Sequence, residues 1–60
     1  MSKKKPVVSH SVELLQRAAS TCEHNAAINA DEGEFAQENL NRELAAAYRE
    51  GAQALIKAGK

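Results

Sequence analysis

The segment Ile28-Asn29-Ala30-Asp31-Glu32-Gly33-Glu34 constrains the fold more than any other, because Asn, Asp and Gly compete with helix for turn conformations. On both sides of it apolar residues recur at helical spacing, and the single proline stands far upstream at Pro6. Two helical segments joined by a short turn pack antiparallel. The spacing therefore predicts a helix over about 10–28, a turn over about 29–33 and a second helix over about 34–58, with no strand signal and no internal repeat.

In the first helix Val12, Leu15, Ala19, Cys22 and Ala26 recur at alternating steps of three and four, which keeps them on one face. Ser9 or Ser11 is placed to cap its start. Residues 1–8 read as a basic extended tail, since Pro6 disfavours helix at Lys5 and two β-branched valines follow. For the second helix, Asp31 with Glu34, or Asn29 with Glu32, offers a capping-box start. Its expected stripe is Leu40, Leu44, Tyr48, Ala52 and Leu55, and Gly59 is placed to end it as a left-handed cap. Glu13 with Arg17 and Glu38 with Arg42 are i,i+4 pairs in the favourable order.

Size then limits what such a hairpin can do alone. At 60 residues and 6.5 kDa, the roughly 80 kcal/mol expected from apolar burial at ~25 cal/mol/Å² nearly equals the cost of ordering the chain at ~1.5 kcal/mol per residue. The stripes are rich in alanine, which lets helices approach closely and buries little area per contact. One cysteine excludes an internal disulfide, so the missing stabilisation is assigned to a protein partner. The expected architecture is all-α: an antiparallel two-helix hairpin completed as a homodimeric four-helix bundle. Its self-association core is read as Leu15, Ala19, Cys22, Leu40, Leu44, Tyr48 and Leu55. Leu14 and Ile56 lie off the stripes and, with Phe35, form the candidate surface for an unidentified protein partner.

Catalytic and cofactor chemistry finds little support. Cys22 and His24 stand two apart, about 200° around a helix, and cannot ligate one metal together. His10 sits where the helix dipole disfavours an imidazolium. Asp31-Glu32-Gly33-Glu34 lacks the alternating oxygen ligands of a calcium loop, and no phosphate-binding glycine loop or zinc-protease motif is present. The reading is a non-enzymatic interaction or regulatory module with no cofactor and no metal. The longest apolar run, Ala45 to Tyr48, is far short of the ~20 residues that span a bilayer, and Met1 to Lys5 is not followed by the apolar stretch of a secretory signal. A cytoplasmic location without membrane attachment follows as an expectation.

The formal net charge of zero conceals a polarity: +3 over residues 1–10, −4 over 31–40 and +2 over 51–60. A hairpin gathers Lys3, Lys4, Lys5, Lys57 and Lys60 at one end and Asp31, Glu32, Glu34 and Glu38 at the other. Two hairpins lying antiparallel would set each acidic turn beside the partner's basic end. The same lysines are the candidate phosphate contacts of an alternative reading, a dimeric RNA- or DNA-binding accessory protein. Against that alternative, the second helix carries Glu34, Glu38, Glu43 and Glu50. The layout is similar in architecture to small dimeric helical-hairpin proteins that form four-helix bundles, some of which bind RNA; the likeness covers the helix pattern and carries no motif.

Overall fold

A computed structural model describes residues 4–59, with side chains from residue 10 onward. Two helices, α1 (Lys4–Asp31, 28 residues) and α2 (Phe35–Gly59, 25 residues), pack along their length as a hairpin. No strand occurs among the described residues.

The helix starts earlier than the sequence reading placed it, and the expected extended tail is corrected from Lys4 onward. Proline is tolerated in a first helical turn, where its missing N–H would have no intrahelical partner, so Pro6 at the third position of α1 does not obstruct it. Ser9 and Ser11 consequently lie inside α1 rather than at its cap. Residues 1–3 lie outside the described residues, Lys3 of the basic tail among them.

The turn is shorter than expected, occupying Glu32–Glu34, and α1 runs on to Asp31. Gly33 decides this. It adopts φ +75°, a left-handed conformation that costs an L side chain but not glycine. Around it the Glu34 amide donates to the Asn29 carbonyl at 2.8 Å and the Gly33 amide to the Ala30 carbonyl at 3.1 Å. These are the two bonds of a Schellman stop, which satisfies carbonyls that the end of α1 would otherwise orphan. Asp31 is thus the last helical residue of α1, not the cap of α2. Glu34 takes that position, its carbonyl accepting the Glu38 amide at 3.0 Å. At the far end Gly59 is the last helical residue.

Alanine alone fills the fully buried seam. Ala19 and Ala26 are 0% exposed, Ala52 1% and Ala45 3%, and no larger side chain is fully buried among the described residues. Ala19 and Ala26 are seven apart, as are Ala45 and Ala52. In line with them along the seam are the half-buried Val12, Leu15, Cys22 and Asn29 on α1 and Glu38, Asn41, Tyr48 and Leu55 on α2, while Ser11, Ala18, Ala30 and Gly51, also half-buried, flank it. Each seam therefore advances by alternating steps of three and four, the spacing of helices that wrap around one another.

The stripe expected for α2 is corrected here. Leu40 is 50% exposed and Leu44 38% exposed, so neither lies in the hairpin's seam. Successive steps of four advance the helix by about 40° each, so a line drawn through Leu40, Leu44, Tyr48 and Ala52 turns through about 120° and leaves the contact. The true seam replaces them with Glu38, Asn41 and Ala45.

Candidate interaction surface

The seven-residue repeat of both helices divides the remaining surface into two broad faces and an outer back. One broad face is fixed by a cross-helix ion pair. Arg49 donates from Nη2 to Glu23 Oε1 at 2.8 Å and from Nε to Oε2 at 3.1 Å, a two-pronged arrangement that matches the planar guanidinium to the carboxylate. The Arg49 hydrogen bond holds the Glu23 carboxyl below its ordinary value, and the same bond raises Arg49. Arg42 lies on this face as well and pairs with Glu38 at 2.8 Å. Phe35 and Ile56 occupy the same helical line as Arg42 and Arg49, seven residues before and after them.

The opposite broad face carries no charge between residues 11 and 58. On α1 it comprises Ser11, Leu14, Ala18, Thr21, Asn25 and Ile28; on α2 it comprises Gln37, Leu40, Leu44, Ala47, Gly51 and Ala54, with Ala58 at the end. Every Asp, Glu, Lys and Arg of the two helices in that interval stands in the seam, on the Arg49 face or on the back, and Glu32 and Glu34 stand in the turn. Leu14, Ile28, Leu40 and Leu44 are all substantially exposed here. Gly51 lies where this face meets the seam, and a methyl group at its Cα would stand 3.6 Å from Leu15 Cδ1.

The structure therefore regroups the residues singled out from the sequence. Leu15, Ala19, Cys22, Tyr48 and Leu55 share the seam inside one hairpin. Leu40 and Leu44 join Leu14 on the charge-free face, whereas Phe35 and Ile56 lie on the other side and do not form one surface with Leu14. Lys57 is exposed near the end of α2, and the backbone of Lys4 and Lys5 lies in the first turn of α1. Lys3 and Lys60 lie outside the described residues.

Two features escaped the sequence reading. One is the Glu23–Arg49 pair, whose members are 26 positions apart. The other is a hydrogen bond from Asn41 Nδ2 to Asn29 Oδ1 at 2.8 Å, part-buried in the seam beside the turn. Laying both helices on a common seven-residue repeat would have exposed the charge-free face, since it needs only residue types and spacing. The expected Glu13–Arg17 and Glu38–Arg42 pairs do form, at 3.2 and 2.8 Å.

Two surface depressions among the described residues are open grooves on the outer sides of single helices, one lined by Glu13, Gln16, Arg17, Ser20 and Thr21 and the other by Ala46, Arg49, Glu50, Gln53, Ala54 and Lys57. Among the described residues no three His, Cys, Asp or Glu side chains gather as metal ligands, and no helix is long and apolar enough to cross a membrane. Comparison with protein families, curated proteins and solved structures returns no match.

Proposed function

We propose that the chain is a non-enzymatic helical interaction module that works as a homo-oligomer, in its simplest form a two-fold dimer completing a four-helix bundle. One observation carries this reading: six large apolar residues, Leu14, Ile28, Phe35, Leu40, Leu44 and Ile56, stand exposed while the fully buried seam consists of four alanines. The accessible surface of 4475 Å² exceeds the roughly 3,800 Å² expected of a compact chain of this mass. A hairpin of this kind gains little from its own burial and gains the rest by covering its leucines with another polypeptide. Regulation through a further protein partner, in the cell interior, is the role such a bundle would serve.

Sedimentation equilibrium of the full chain, run beside a thermal melt, tests the reading. The expected result is a dimer or higher state at tens of micromolar, with a melting temperature that rises with concentration. A monomer that melts cooperatively and independently of concentration would overturn it.

A further inference from the structure

Resting on the homo-oligomer reading, we propose that the charge-free face is the pairing surface and that a second copy of this chain lies on it antiparallel, each turn beside the other's helix ends.

Size supports a second copy as the occupant. The hairpin measures 50 Å by 15 Å across its broad face, about 750 Å² in plan. A second copy has the same length and width, so laid along the face it would cover it from end to end. Exclusion of charge supports the choice of face. Burying Arg49 and Glu23 would desolvate an ion pair that water now solvates, whereas the opposite face offers only apolar and neutral polar groups.

Two independent features set the orientation. The first is the distribution of bulk. Three of the four large exposed side chains on the face, Ile28, Leu40 and Leu44, stand in the half nearest the turn, while the other half holds Leu14 alone among Ala18, Gly51 and Ala54. An antiparallel copy sets the half with three large side chains against the half with one; a parallel copy would press the two bulkier halves together. The second is charge. A parallel pair would bring two turns together, each bearing Asp31, Glu32 and Glu34, all exposed. The antiparallel pair sets those carboxylates near Lys57, in the last turn of α2.

Sedimentation equilibrium of paired variants tests the face. Leu40→Lys with Leu44→Lys is expected to weaken association by about 100-fold or more, because two buried leucines are lost to water. Phe35→Lys with Ile56→Lys, on the ion-paired face, is expected to change it less than about threefold. The reverse ranking overturns the proposed face while leaving self-association intact. A cooperative wild-type monomer overturns both. Orientation is read by disulfide formation in a Cys22→Ser background, mixing Gln37→Cys with Ala58→Cys chains. Mixed cross-links should dominate; a dominant cross-link between two Gln37→Cys chains would overturn the antiparallel arrangement.

Discussion

Asn41 donates its side-chain amide to Asn29 Oδ1 at 2.8 Å, joining the two helices inside the seam near the loop. A polar pair there adds less to stability than packed leucines would, but it is satisfied in only one register. Asn41→Ala is expected to cost about 1 kcal/mol in urea unfolding by leaving a part-buried acceptor without its donor. Replacing both residues with leucine should raise stability and loosen the alignment of the helices. A double-mutant cycle showing no coupling between Asn29 and Asn41 would remove the pair from this role.

Gly33 makes a second, sharper case. A Cβ placed on it would meet nothing within 4 Å, so its φ of +75° is the whole objection to a side chain. Gly33→Ala is expected to destabilise by about 1 to 2 kcal/mol, and Gly33→Asn by less, because asparagine tolerates the left-handed region. Equal melting temperatures for the alanine variant and the native chain would contradict the Schellman stop.

Ala26 is 0% exposed and leaves no room between the helices. Ala26→Leu should cost about 1 to 3 kcal/mol by forcing the backbones apart. At Gly51 the opposite holds. The added methyl meets Leu15 Cδ1 at an ordinary 3.6 Å, so Gly51→Ala should stabilise the hairpin by about 0.5 to 1 kcal/mol through helix propensity. Chemical denaturation of the two variants separates these effects by sign.

The Glu23–Arg49 pair gives the pH dependence a direction. The folded-state value of Glu23 is lowered, so its contribution is complete above the ordinary carboxylate range and disappears as pH falls through the lowered value. Both side chains are exposed, so the effect is small and screened by salt. Glu23→Gln should melt slightly below the native chain at neutral pH, and the difference should vanish in strong acid. A difference that persists at low pH would assign it to packing instead.

How far the sequence carried depends on whether a feature is local. The helices, the turn and the i,i+4 pairs follow from neighbours within one turn, and the α1 seam follows from an unbroken alternation of three and four. Leu40 and Leu44 misled because their leucine side chains suggested burial, whereas the seam is occupied by the less conspicuous Ala45, Asn41 and Glu38. Gly33 was legible as a turn residue, but its role in ending α1 competed with two plausible capping boxes. The Asn29–Asn41 and Glu23–Arg49 contacts required the register between helices, which spacing within either helix does not contain.

The brevity of the Glu32–Glu34 connection also sets the order of events during folding. Every contact between α1 and α2 closes a loop centred on that connection, so the loops beside it are the shortest and the entropy lost in closing them the smallest. Zippering from Gly33 outward meets a rising cost only slowly, and each new pair of seam residues lands beside one already formed. A chain built this way reaches its hairpin on the microsecond scale of helical, locally connected proteins, about as fast as its helices can grow. In the proposed dimer, meeting a second copy depends on concentration and would be the slow step, so dilution rather than mutation would be the simplest means of observing the hairpin before it is covered.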